Sequence, residues 1–357
     1  IGAFAAYTAT TGGNNTAVGD QALSLMTTAS NNTAVGRSAL KANTTGAENT
    51  AVGMDAMTAN TTGEHNVAVG RTAMAANTEG AKNVAVGNYS LDANTTADQN
   101  TAVGYCALTT NTTGANQTAI GYQALALATT GGKNVAVGVD ALKANTSGAE
   151  NVAVGYRAAD SITTGIENVA IGMCALQTAT DENRNTGVGY KALFVATGGE
   201  NTALGNDAGL NVAAGSNNTI IGYSAATDAV INIEAQSNHI VLGNNNSTNA
   251  LIKIDWTVTS DERDKMNFEE VPHGLDFVNQ LKPVSFIFKK SREDATPHGD
   301  KKYGFKAQDV LALEGDNPII INNKNDENLK ITNSHMTPVL VNAIKELSDQ
   351  NKKLTSR

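Results

Sequence analysis

The segment Asn49-Thr50-Ala51-Val52-Gly53-Met54-Asp55-Ala56-Met57-Thr58-Ala59-Asn60-Thr61-Thr62-Gly63-Glu64-His65 decides the fold, because the chain starts it again at Asn66. Its glycine returns every seventeen residues for eleven occurrences: Gly19, Gly36, Gly53, Gly70, Gly87, Gly104, Gly121, Gly138, Gly155, Gly172 and Gly189. Looser copies end at Gly205 and Gly222, with a last candidate at Gly243. A fixed short period means that each unit is one turn of a stacked array, unable to bury its apolar side without neighbours. This predicts a rod over the first two-thirds of the chain and excludes most ordinary enzyme folds there.

Within one unit the residue before the glycine is aliphatic (Val52, Val69, Ile120, Leu204) and the third before it is Thr or Val (Thr50, Val67, Thr101). A near-constant Ala (Ala17, Ala34, Ala51, Ala68) separates them, so the segment has the two-residue period of a short strand. The expectation is that the Thr/Val and Val side faces the interior. The Ala side would then meet another chain packed close enough to tolerate only a methyl group. After the glycine an Ala-Leu or Ala-Met pair (Ala39-Leu40, Ala56-Met57, Ala107-Leu108, Ala141-Leu142) supplies a second apolar wall. An Asn-Thr-Thr-Gly turn closes many units, as at Asn43–Gly46, Asn60–Gly63 and Asn111–Gly114. Asn also recurs four residues before the glycine, from Asn15 to Asn218, interrupted by Gln117, and predicts a ladder of stacked side-chain amides.

The pattern Asn-Thr/Val-Ala-Val/Ile-Gly-x-x-Ala resembles the head repeats of trimeric autotransporter adhesins. That resemblance implies a left-handed, parallel β-roll assembled as a homotrimer, although the Asn-Thr-Thr-Gly turns are longer than that family's usual ones. The array lacks the Gly-Gly-x-Gly-x-Asp pattern of calcium-binding rolls, so no metal is expected in it. Its acidic residues fall in variable slots (Asp20, Asp55, Asp140, Glu48, Glu150, Glu167) and read as a solvated face. The five histidines (His65, His239, His273, His298, His335) have no metal-ligand spacing, and no cofactor is expected. Cys106 and Cys174 occupy the same slot four units apart, which at ~4.8 Å per strand is far beyond disulfide reach.

Residues 1–259 carry 10 basic against 18 acidic residues (net −8), whereas 260–357 carry 15 against 16 (net −1). An acidic rod has no electrostatic reason to bind nucleic acid or an anionic membrane. No apolar run approaches the ~20 residues of a membrane span. The chain opens at Ile1 without Met or a leader and reads as a fragment, with any upstream anchor and the partners it binds lying in a missing N-terminus. Three regions are expected: a repeat shaft over 1–229, a β-rich connector over 230–259 and a compact domain over 260–357. The connector holds Ile231-Asn232-Ile233, His239–Leu242 and the alternating run Ala250–Val258 with the chain's sole tryptophan, Trp256.

Four blocks mark the last region: Ser260-Asp261-Glu262-Arg263-Asp264-Lys265, Leu281–Phe286, Tyr303–Val310 and Met336–Leu347. In this order they resemble the endosialidase-type intramolecular chaperone that ends many phage tail spikes and fibres. The resemblance implies a small α+β domain that trimerises, holds the upstream strands in register while they wind, and then cuts itself off. By carry-over, Ser260 is the nucleophile, Lys265 its base and Thr259–Ser260 the scissile bond. The chemistry requires the lysine amine to lose its proton, which burial favours. Asp261, Glu262 and Asp264 oppose that loss. A charged turn with an ordinary surface lysine is the plain alternative. Met336, Ala343 and Gln350 are seven apart, as are Leu340, Leu347 and Leu354. This predicts a trimer seam of Met336, Leu340, Ala343, Leu347 and Leu354, against the alternative of a helix packed on its own domain.

The whole reads as a virion tail fibre or spike, mainly β, whose shaft contacts a host-surface receptor and whose missing N-terminus would meet other tail proteins. Tyr105, Tyr122, Tyr156, Tyr190 and Tyr223 are candidate contacts, or packing residues. A polysaccharide depolymerase and a cellular trimeric adhesin carrying the same chaperone are the rival readings.

Overall fold

The computed structural model describes residues 1–227, 232–251, 253, 258–324 and 326–356; Ile231, Trp256 and most of the Ala250–Val258 run lie outside them. It has two compact units, Ile1–Asn244 and Asn245–Arg357.

The first unit is a parallel β-solenoid. Fourteen three-residue strands, from β1 (Thr16–Val18) through β13 (Thr219–Ile221) to β14 (Ile240–Leu242), form one sheet in strict sequence order. Neighbouring strands pair like on like: Thr50 with Val67, Ala51 with Ala68 and Val52 with Val69. The step is seventeen residues except near the end, where Thr186 pairs with Thr202, one residue short, and Thr219 pairs with Ile240, four residues long. That longer step places part of the expected connector in the stack, as its last rung. Thirteen intervals at ~4.8 Å give a stack of roughly 60 Å.

The strand faces the opposite way from the sequence expectation. Ala34, Ala51, Ala68 and their equivalents are fully buried, whereas the flanking Thr and Val are half-buried or exposed. The reason is volume. Each strand alanine meets the leucine or methionine of the opposite wall (Leu40, Met57, Met74, Leu91), itself fully buried, and together they fill a narrow interior. Departures from the repeat prove the sharing of space. Gly209 replaces the wall leucine where Ile220 replaces the strand alanine, and a Cβ on Gly209 would come within 3.0 Å of Ile220 Cδ1. Likewise Ala159 stands for the leucine where Ile162, three residues on, fills the gap. Such volume-conserving swaps keep an interior packed at little cost.

The sharp corner after each strand needs glycine. Gly53 has φ 140°, and a Cβ there would lie 2.3 Å from the carbonyl oxygen of Gly70. The wall leucines themselves adopt left-handed backbone (Leu40 φ 50°, Leu108 φ 52°), a strain held in place by complete burial of their side chains.

Two amide ladders run beside the core. In the first, the backbone N–H of each asparagine donates to the side-chain carbonyl one rung earlier: Asn49 to Asn32 at 2.9 Å, Asn66 to Asn49 at 3.0 Å, Asn83 to Asn66 at 2.9 Å. Its side-chain nitrogen donates to the turn carbonyl, as from Asn66 to Gly80 at 2.8 Å. The second ladder joins Asn43, Asn60, Asn77, Asn94 and Asn111 through side-chain amides 2.7–3.2 Å apart. Gln117 bridges the two by donating to Asn111 Oδ1. These bonds satisfy polar groups that could not otherwise be buried.

In the second unit, α1 (Leu275–Gln280), α2 (Ala307–Glu314) and α3 (Asn333–Thr355) accompany two antiparallel pairs, β15 (Val284–Lys289) with β16 (Pro297–Gly304) and β17 (Ile321–Asn322) with β18 (Lys330–Ile331). Phe277, Val310, Ile320, Ile321, Met336 and Val339 form its core.

Asn145 tests the ladder. Its neighbours in the column are Ala128 and Ile162, and both its amide atoms are buried without a partner, whereas Asn77 has donor and acceptor partners on both sides. Asn77→Ala is expected to lower unfolding free energy by about 1–3 kcal/mol and Asn145→Ala by clearly less, measured by chemical denaturation.

Candidate active site

The block Ser260–Lys265, in the second unit, is a closed turn built from its own side chains. Asp261 has extended backbone and caps a short 3-10 helix over Glu262–Asp264 by accepting the Arg263 backbone N–H at 2.9 Å. The turn then closes as Asp264 N–H donates to the Asp261 carbonyl and Lys265 N–H to the Glu262 carbonyl. This reversal carries the lysine side chain back five residues: Lys265 Nζ donates to Ser260 Oγ at 2.6 Å and to the Ser260 carbonyl at 3.2 Å. The serine hydroxyl and the lysine amine thus stand within hydrogen-bond reach immediately after the Thr259–Ser260 bond, the geometry an activated serine would require. Ser260, Lys265 and Thr259 are all exposed in the single chain.

The acids beside the lysine are not arranged as their sequence proximity suggested. Asp261 gives both carboxylate oxygens to the guanidinium of Arg263, at 3.0 and 2.6 Å. That guanidinium, and then the Arg263 backbone N–H, hold the Asp261 carboxyl below the usual carboxylate range. Among the described residues no carboxylate lies within 4.0 Å of Lys265 Nζ. The signal for this was present in sequence only as an Asp two residues before an Arg, which by itself does not fix who pairs with whom.

Downstream, the chain is pinned to α3. Asn342 Nδ2 donates to the carbonyls of Val271 and His273 at 3.1 and 3.4 Å, and Glu346 accepts the Leu275 N–H at 2.8 Å, in effect capping α1 from outside. Glu314 similarly accepts the backbone N–H groups of Ile319, Ile320 and Ile321.

The residues expected to form a seam along α3 divide. Met336 and Ala343 are buried against their own domain, because one face of α3 closes the core, while Leu340, Leu347 and Leu354 are exposed. Ile344 is exposed beside them, and a groove along this open face is lined by Ile344, Leu347, Ser348, Asn351, Lys352 and Thr355. The exposed apolar positions 340, 344, 347 and 354 follow the spacing of coiled-coil core positions, with Asn351 filling the remaining one.

In the solenoid the candidate tyrosines are outward. Tyr105 and Tyr122 stack on each other with ring centres 5.6 Å apart and planes 10° from parallel, and Tyr89 meets Tyr105 edge-on. Their faces are occupied by each other, which is how packing residues behave, leaving edges and hydroxyls to solvent. Cys106 and Cys174 are free and half-buried, with burial pushing the Cys106 thiol up. Among the described residues no cluster of three or more metal-ligating side chains occurs, and no helix is long and apolar enough to cross a membrane.

Residues 260–316 match the family model of a peptidase described as the chaperone of endosialidase. The match begins at the serine of the dyad. The segment is therefore similar to an intramolecular chaperone of that family, and a β-solenoid of stacked repeats precedes it in the same chain. No curated protein and no solved structure matches the chain.

Replacing Glu346 by Ala removes the external cap of α1. Amide hydrogen exchange at Leu275 is expected to accelerate by tenfold or more while exchange at Val310, in the core, stays within about twofold.

Proposed function

We propose that this chain is part of a phage-type tail fibre or spike for host attachment, and that its C-terminal domain assembles the solenoid as a homotrimer and then releases itself by cutting Thr259–Ser260. The observation that carries the proposal is the 2.6 Å contact of Lys265 Nζ with Ser260 Oγ, at the first residue of the family match.

The reaction follows from that contact. With the lysine amine neutral, it takes the Ser260 hydroxyl proton as Oγ attacks the carbonyl carbon of Thr259. The resulting ammonium returns the proton to the departing Ser260 nitrogen as the C–N bond breaks, leaving an ester between Thr259 and Ser260 Oγ. Water then hydrolyses the ester, so one water is consumed and each site turns over once. The step needs the amine neutral, and solvation by water favours the ammonium form. Cleavage therefore waits for desolvation of the exposed dyad, which packing of further copies around it supplies.

Two surfaces support assembly of copies. The outward column of the solenoid holds an aliphatic residue on every rung, with Val18, Val52, Ile120, Ile171 and Leu204 between 36% and 49% exposed in the single chain. A continuous apolar stripe of that length is what a repeated partner strand would cover. The open face of α3, with Leu340, Ile344, Leu347, Asn351 and Leu354, fits two more copies of the same helix as a parallel clamp. Residues 344–355 of α3 are all exposed, and a helix of that length is marginal in water without a partner. The variable residues of the solenoid's outer turns would meet the host receptor.

The test is the mass of the product. Wild-type chain is expected to yield two fragments, 1–259 and 260–357, and Ser260→Ala or Lys265→Met a single intact chain. An intact wild-type product under conditions where the chain is assembled contradicts self-cleavage.

A further inference from the structure

We infer that Asp261 and Arg263 are positioning residues of the Ser260–Lys265 pair: Asp261 builds the turn that returns Lys265 to the serine, and Arg263 keeps the Asp261 carboxylate off the lysine. This deepens the self-cleavage reading and rests on it for its kinetic consequence, but its electrostatic half stands on geometry alone.

The turn is the first half of the argument. Ser260 and Lys265 are five residues apart in sequence and exposed, so nothing but the local backbone brings them together. That backbone is shaped by the Asp261 carboxylate, whose Oδ1 accepts the Arg263 N–H at the start of the 3-10 helix. A side-chain cap of this kind contributes of order 1 kcal/mol, about fivefold in the population of the closed turn. Asparagine offers the same acceptor and alanine offers none.

Charge is the second half. Asp261 lies four residues before Lys265, the separation at which side chains on a helical turn become neighbours. A free carboxylate there would pair with the ammonium and hold the proton on the base. Arg263 prevents this by taking both carboxylate oxygens in a forked contact, which a guanidinium makes and a lysine cannot. The remaining acids near the lysine are Glu262 and Asp264, on the same turn. Neither is within ion-pair distance of Lys265, and among the described residues no carboxylate from any other element is either. Because the guanidinium also depresses the Asp261 carboxyl, the fork is complete above the ordinary carboxylate range and is lost only as pH falls through the lowered value. From about pH 5 upward, therefore, the arrangement is constant and any pH dependence of cleavage reports the base.

Two measurements on the full chain test this, one independent of cleavage. In a Ser260→Ala background, NMR titration of the Lys265 ε-methylene is expected to move up by about 0.3–0.5 pH units on adding Arg263→Gln, and to return on further adding Asp261→Asn. In the cleaving chain, Arg263→Gln should be about two- to threefold slower at neutral pH and should converge on wild type at high pH. Asp261→Ala should be about fivefold slower at every pH with its midpoint unmoved, and Asp261→Asn should restore the rate. A Lys265 titration unchanged by Arg263→Gln overturns the shielding role, and full-speed cleavage by Asp261→Ala overturns the turn-building role. If wild-type chain never cleaves, the self-cleavage reading falls, and with it the kinetic half; the titration still decides the shielding.

Discussion

The solenoid depends on how little room lies between its strand and its opposite wall. One leucine or methionine per turn fills that space, so the strand can contribute only a methyl group, and Ala51, Ala68 and their equivalents are fully buried. The Thr, Val and Ile residues that flank the strand alanine are thereby turned outward. Val52, Ile120 and Leu204 stand on the surface because the interior cannot hold them beside Met57, Leu125 or Leu193, and a stripe of aliphatic side chains results. The same constraint explains why the exceptions come in pairs: Ile220 enters the interior only where Gly209 vacates it. Polar closure of the turns is equally periodic. The asparagine columns bond both to the turn carbonyls of their own units and to the amides of adjacent rungs, so each turn is completed in part by its neighbours.

Much of this was legible in the sequence and the rest failed for identifiable reasons. The seventeen-residue step of Gly19 to Gly189 was sufficient for a stacked array, and the asparagine four before each glycine foretold the first amide ladder, whereas the column from Asn43 to Asn111 read only as turn residues. Which face of the strand lies inside was not legible. An alternation of Ala with Val marks two faces, and a small residue fits equally a narrow interior or a close neighbour. The last rung, Ile240–Leu242, was legible as a strand and as a last candidate repeat at Gly243, but not as part of the regular array, because the loop before it lengthens the step. Along α3, two sets of residues share a seven-residue spacing, and only packing reveals that Met336 and Ala343 close the core while Leu340, Leu347 and Leu354 remain open.

The block that holds Ser260 and Lys265 was readable because it carries a family resemblance, and residues 260–316 match that family's model. Its electrostatics were not. From sequence, three acids within five residues of Lys265 argue against a neutral amine. In the fold one of them is spent on Arg263 and on the turn, and the other two lie beyond ion-pair distance. Exposed termini of α3, an aliphatic column on the solenoid and a solvent-open dyad are then three aspects of one condition: surfaces of a single chain that assembly would cover.

That condition is tested most directly by native mass spectrometry of the wild-type chain at micromolar concentration. The account predicts a species of three solenoid fragments, with the C-terminal fragment either bound in the same ratio or released. A monodisperse, folded monomer whose aliphatic column stays open to water would contradict it.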